Sequence, residues 1–168
     1  MQKYTLYILV SWLLIASNSL FAKPKNDIPD SLKVLRFEVN GVPFSMQRIE
    51  GGVFIMGGTR EQHRDPISTD LPTHTVAIDA YYMGHTEVTQ ALWQAVMSEW
   101  EIMDEWHNPN HPITDVSWYD CQLFFQRLDS LTGMSFRLPT EAEWEFAARG
   151  GNESQSFRFA GSDIADSV

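Results

Sequence analysis

Cysteine is almost absent from this chain: Cys121 is the only one in 168 residues. No internal disulfide can form in any compartment, so the fold must be held by its core. Positive charge is scarce too. Twelve Lys and Arg against 22 Asp and Glu give a formal net charge of −10, which argues against nucleic acid or an anionic lipid surface as a partner. Internal repeats and low-complexity tracts are missing, so the chain has no sign of a repeat architecture or a spacer. Long apolar runs are missing as well, with one exception at the start.

That exception begins after Met1-Gln2-Lys3 and has no charged residue until Lys23. Its apolar centre runs through Leu6–Val10 and Trp12–Ala16, and Ser19-Leu20-Phe21-Ala22 offers a small residue for a peptidase. The pattern predicts a signal peptide over residues 1–22 and a secreted or periplasmic location. The other reading is an uncleaved anchor, which would make the membrane a partner. Residues 23–31 form a polar, proline-containing lead-in expected to be flexible.

From Leu32 the chain alternates. Val34–Val39 and Val42–Met46 flank Asn40-Gly41, a strong hairpin signal because both turn residues must accept positive φ. Pro43 suggests an edge strand. A second strand pair is expected over Gln47–Ile49 and Gly52–Met56, bent at Gly51-Gly52. Residues 60–73 read as an exposed loop, and His74–Asp79 as a strand. Thr89 is placed to cap a helix over residues 90–99. Ser117, with Asp120 three residues on, opens another helix. Its apolar residues Cys121, Phe124, Phe125 and Leu128 share one face, and Gly133 stops it.

The segment Phe136–Gly151 reads as a short strand, a proline stop at Pro139 and a third helix. Thr140 and Glu143 complete a capping box, and Gly150 suits a left-handed exit. Trp144, Ala147 and Ala148 follow at helical spacing.

Individual side chains invite sharper readings. Cys121 sits on an apolar face, which predicts an inert thiol and not a nucleophile. His107 and His111, with Asp104 and Glu105, resemble a ligand set, but Pro109 and Pro112 forbid the continuous helix that would converge them. His63 and His74 are isolated. Glu141, Glu143 and Glu145 fan around a helix and complement its dipole instead of forming an acid–base pair. Arg137 and Arg149 are expected to pair with Glu87 or one of these acids. Trp93, Trp118 and Trp144 are expected in packing roles. No nucleophile elbow supports a hydrolase built on His74 or His111. The chain's own residues therefore give no catalytic, cofactor-binding or metal-binding assignment.

Four blocks in order carry a family resemblance: Gly51–Gly57, Tyr81–Gly84 with Glu87-Val88-Thr89, His111–Thr114 with Val116-Ser117-Trp118, and Arg137–Gly151. Together they resemble the formylglycine-generating enzyme family, also called sulfatase-modifying factors. The resemblance implies an α+β, irregular C-type-lectin-like fold with short antiparallel strands and about three helices. Residues 32–168 would be the N-terminal part of such a domain. The family's enzymes oxidise a cysteine of a sulfatase to formylglycine, using oxygen and copper held by two cysteines. Those cysteines, and the calcium positions, lie downstream of a Gly-Asn-Val-Trp-Glu-Trp-like segment that this sequence lacks. The implied reading is a truncated family member, not catalytically competent alone, with a sulfatase or other extracytoplasmic protein as partner. Relatives also include sulfoxide synthases, motility lipoproteins and binding modules. The alternative is accordingly a non-enzymatic module with a lectin-like surface for protein or glycan.

Overall fold

The computed structural model describes residues 14–15, 29–58, 72–101, 107–155 and 162. The leader (apart from residues 14–15), the lead-in before Pro29, most of the 60–73 loop, His63, Asp104 and Glu105 lie outside the described residues. In chain order the elements are β1 (Leu14–Ile15), α1 (Asp30–Lys33), β2 (Val34–Val39), β3 (Val42–Ile49), β4 (Gly52–Met56), β5 (His74–Ile78), β6 (Tyr81–Gly84), α2 (Gln90–Val96), α3 (Trp118–Thr132), β7 (Phe136–Arg137) and α4 (Glu141–Ala148). A short 3-10 turn covers Gly151–Glu153. No helix among the described residues is long and apolar enough to cross a membrane. The chain divides into two compact units, one drawn from residues 1–48 and 82–138, the other from 49–81 and 139–168.

The first unit is a five-stranded sheet, ordered β2-β3-β6-β1-β7, with α2 and α3. The β2–β3 hairpin turns where the sequence demands it. Asn40 and Gly41 hold φ of 50° and 82°, the paired positive values of a type I′ turn. The Asn40 side chain also donates to the Ala95 carbonyl at 2.7 Å. Pro43 does not mark an edge: β3 has β2 on one side and β6 on the other. Pro43 is tolerated because it stands opposite Glu38, one residue past the turn, where the ladder has barely begun.

Thr89 caps α2 by accepting the Leu92 N–H, and Ser117 and Asp120 form the expected box on α3. The helix α2 is shorter than its pattern suggested, ending at Val96. The predicted face of α3, Cys121, Phe124, Phe125 and Leu128, is buried. Trp93 stacks flat on Phe124, with centroids 4.8 Å apart and planes at 2°. Phe37, Phe44 and Phe136 form a second aromatic group, at 5.0 and 5.7 Å from Phe37. Burying side chains of this size contributes about 1.5–3 kcal/mol each. Such burial explains how a chain without disulfides holds this core. The Trp93 indole Nε1 is buried with no hydrogen-bond partner among the described residues.

The second unit pairs β4 with β5 over five residues, from Gly52↔Ile78 to Met56↔His74. This corrects the expected second hairpin: residues 47–49 finish β3, and β4 takes its partner, β5, from across the 60–73 segment instead of from its neighbour. The reason is alternation. Val53 and Ile55 face outward, 67% and 60% exposed, while Phe54 turns inward onto Phe146 at 5.3 Å. Only a partner presenting the matching face keeps Phe54 covered.

Candidate functional site

Within the second unit, the signature segment folds around its capping box. Thr140 Oγ1 accepts the Glu143 N–H at 3.2 Å, and the Glu143 carboxylate accepts the Thr140 N–H at 2.7 Å. Tyr81 donates its hydroxyl to the Glu143 carbonyl at 2.6 Å. Burial first, and the Glu143 charge second, push that phenol well above its ordinary range. Tyr81 is therefore a neutral donor at any physiological pH, not a base.

One turn on, Glu145 and Arg149 form an i,i+4 ion pair at 2.6 Å, with side chains only 18% and 26% exposed. Both reach the same glycine. Glu145 Oε1 accepts the Gly57 N–H at 2.8 Å, and Arg149 Nη2 donates to the Gly57 carbonyl at 2.7 Å. The pair thus satisfies both main-chain groups of the residue that follows β4. At the other end of β4, Asn152 Nδ2 donates to the Gly51 carbonyl at 3.0 Å. A Cβ on Gly51 would lie 2.5 Å from the Ile78 carbonyl oxygen and 2.8 Å from the Ala80 nitrogen. Gly51 is therefore required by close backbone approach, whereas a Cβ on Gly52 would collide with the Asn152 and Phe146 side chains. The first and last sequence blocks meet here, as a clamp that fixes β4.

In the first unit, the His111–Thr114 block closes over the start of α2. The carbonyls of Pro109 and His111 accept the N–H groups of Ala91 and Gln90 at 3.1 and 2.8 Å. The buried Gln90 side chain accepts the Asn108 N–H at 2.9 Å. His111 acts through its carbonyl, and its ring is exposed. The exposed His107 ring lies 3.4 Å from Gln94 Oε1. Among the described residues no group of three or more His, Cys, Asp or Glu is arranged to hold a metal ion.

Cys121 is fully buried, and burial followed by the neighbouring Asp120 charge pushes its thiol up to about 11. The burial is what its place on the apolar face predicts. Arg149 and Glu145 pair as anticipated, and Arg137 Nη1 donates to the Leu138 carbonyl at 3.0 Å. The tryptophans divide. Trp93 is core, whereas Trp118 and Trp144 remain 49% and 46% exposed. Sequence reasoning missed the outward pair Trp118–Tyr119, an edge-to-face contact with centroids 5.3 Å apart. Tyr119 is 79% exposed. Both residues stand in the first turn of α3; Tyr119 is off its apolar face, which was the available signal, and Trp118 lies at that face's edge.

The described residues thus build an α+β domain of short antiparallel strands with three principal helices, whose sequence blocks serve as structural clamps. Residues 38–167 match the family described as "Sulfatase-modifying factor enzyme 1-like domain". The chain belongs to this formylglycine-generating enzyme family. It is 28% identical to the formylglycine-generating enzyme of Bos taurus, over 68% of this chain and 42% of the relative. It is 29% identical to "Chaperone protein LppX" of Paenibacillus barcinonensis, over 55% of this chain and 44% of the relative. Among solved structures it is similar to Treponema denticola variable protein 1, with a TM-score of 0.61 and 26% identity, covering 79% of this chain and 61% of that one. The matches thus span less than half the length of these curated relatives.

Proposed function

We propose that this chain is an exported member of the formylglycine-generating family, comprising the N-terminal portion of the domain, and that by itself it performs no cysteine oxidation. The charge-free stretch between Lys3 and Lys23 supports export, and one observation carries the absence of oxidation. Copper held in this family by two thiolates needs a pair of ionised cysteines, and this chain offers one thiol, fully buried and pushed up to about 11. That donor set does not fit the metal.

The test is direct. The purified chain is titrated with Cu(I) and incubated aerobically with a cysteine-containing sulfatase peptide. Neither stoichiometric copper nor loss of the peptide thiol is expected. One bound copper per chain with oxygen-dependent aldehyde formation would refute the proposal.

A second reading is favoured by the exposed Trp118–Tyr119 pair: a non-enzymatic module that binds a glycan or an extracytoplasmic protein. Aromatic faces left in water are suited to stacking on sugar rings or partner side chains. Trp118→Ala with Tyr119→Ala should abolish such binding on a glycan array or in a pull-down against sulfatase, with the fold intact. Equal binding by the double variant would dismiss this surface.

A further inference from the structure

Charge is distributed unevenly along this chain. Between Arg64 and Arg127 the sequence carries ten Asp and Glu and no Lys or Arg. The remaining 12 acids balance the 12 Lys and Arg, so the whole formal charge of −10 comes from this stretch. In the first unit the stretch supplies α2, the His111–Thr114 block and the first half of α3.

The exposed pair Trp118–Tyr119 opens α3 inside this region. Leu123, 39% exposed, follows Tyr119 by four residues, one turn along the same side of the helix. Aromatic and apolar surface is thus grouped where the chain places only negative charge. A helix N-terminus ordinarily attracts an anion, but this one is already served: Asp120 Oδ2 accepts the Ser117 N–H at 2.8 Å and the Ser117 hydroxyl at 2.6 Å. Asp115, two residues before the cap, adds an exposed carboxylate. The first cation along the helix, Arg127, is engaged by the Glu99 carboxylate at 2.8 Å.

These features discriminate between occupants. An anionic glycan would be repelled, and a neutral sugar would draw nothing from the charge. A guanidinium uses both: its plane stacks on an aromatic ring while its N–H fork donates to a carboxylate. We propose that the Trp118–Tyr119 face of α3 docks an arginine-bearing segment of another protein, with the rings taking the guanidinium plane and Asp115 supplying the opposite charge. The proposal rests on the second functional reading, that of a binding module, and names the chemistry of its partner.

The probe is a fluorescein-labelled flexible peptide bearing arginines, compared by anisotropy with the same peptide bearing citrulline, which keeps the planar side chain and loses the charge. The full chain should bind the arginine peptide about ten-fold more tightly than the citrulline peptide, and added salt should weaken that binding. W118A/Y119A removes both rings and leaves every charge in place. It should weaken arginine-peptide binding about ten-fold, and D115N should weaken it about three-fold. Attraction to net charge alone would survive the double variant unchanged and would overturn the proposal, as would equal binding of the two peptides. If the urea midpoint of the double variant falls, Y119A decides in its place, because Tyr119 is 79% exposed and its removal leaves the core intact; an undiminished affinity in Y119A then overturns the proposal.

Two controls separate this proposal from the reading beneath it. Binding to a neutral glycan that the double variant loses, with no binding of the arginine peptide, refutes the partner and leaves the binding module standing. Binding of neither refutes both. Self-association of the chain in sedimentation, lost in the double variant, gives the face to a second copy and likewise overturns the proposal.

Discussion

Replacing Arg149 by Met isolates the Glu145–Arg149 clamp from simple packing, because Met keeps the apolar stem and removes the guanidinium. Two bonds disappear: the 2.6 Å ion pair with Glu145 and the 2.7 Å bond to the Gly57 carbonyl. Both side chains are less than a third exposed, so solvent screening weakens them less than at an open surface. A partly buried hydrogen bond to a charged group is worth about 1.5–3 kcal/mol. R149M should therefore lose about 2 kcal/mol in a urea titration. Glu145→Gln keeps an acceptor for the Gly57 N–H, so it should cost less, about 1 kcal/mol. Because both residues grip one glycine, the double variant should depart from additivity by about 1 kcal/mol. The local readout is the Gly57 amide, whose exchange should accelerate most in Glu145→Ala. A loss under about 0.5 kcal/mol for R149M, with additive singles, would mean the clamp is incidental.

Three further outcomes follow from the same geometry. Gly51→Ala should cost about 3 kcal/mol, since the nearest atoms to the new methyl are backbone of residues 78–80. Gly133→Ala, with open space but φ of +70°, should cost about 1 kcal/mol in the same urea titration; equal losses would refute the steric account. Cys121 should resist thiol reagents in the folded chain. Its folded value of about 11 lies above the ordinary 9, so the thiol's own contribution to stability is constant below pH 9 and falls as pH rises from 9 to 11; rapid labelling at pH 8 would contradict this. Glu99 is held down to about 2, first by its hydrogen bond from Arg127. That contribution is complete above pH 4.5 and is lost as pH falls toward 2. Arg127→Met should raise the Glu99 midpoint in a carboxyl NMR titration, and an unmoved midpoint would exclude the pairing.

Much of the fold was legible where the deciding forces are local. Thr89, Ser117 and Thr140 cap their helices because a hydroxyl reaches a backbone N–H within three residues. Asn40-Gly41 turns because both residues tolerate positive φ. The buried face of α3 followed from spacing alone. The second hairpin failed because adjacency in sequence competes with side-chain facing, and Phe54 needed β5. Pro43 misled because its constraint acts on one N–H, not on a strand's place in a sheet. The candidate site was legible only in part. Its buried thiol and its Arg149–Glu145 pair were foreseen, whereas the shared grip on Gly57 was not, since it joins residues 88 and 92 positions apart.

The sequence by itself determined the caps, the turn, the inward face of α3 and the four ordered blocks that mark the family. These rest on contacts within a few residues or on the order of residue types. Tertiary structure alone decided that β4 pairs with β5, that Trp118 and Tyr119 face water while Trp93 does not, and that Leu14–Ile15 lies between β6 and β7. Each of those depends on which distant surfaces meet, and a periodic pattern gives the direction a side chain faces without naming what will cover it.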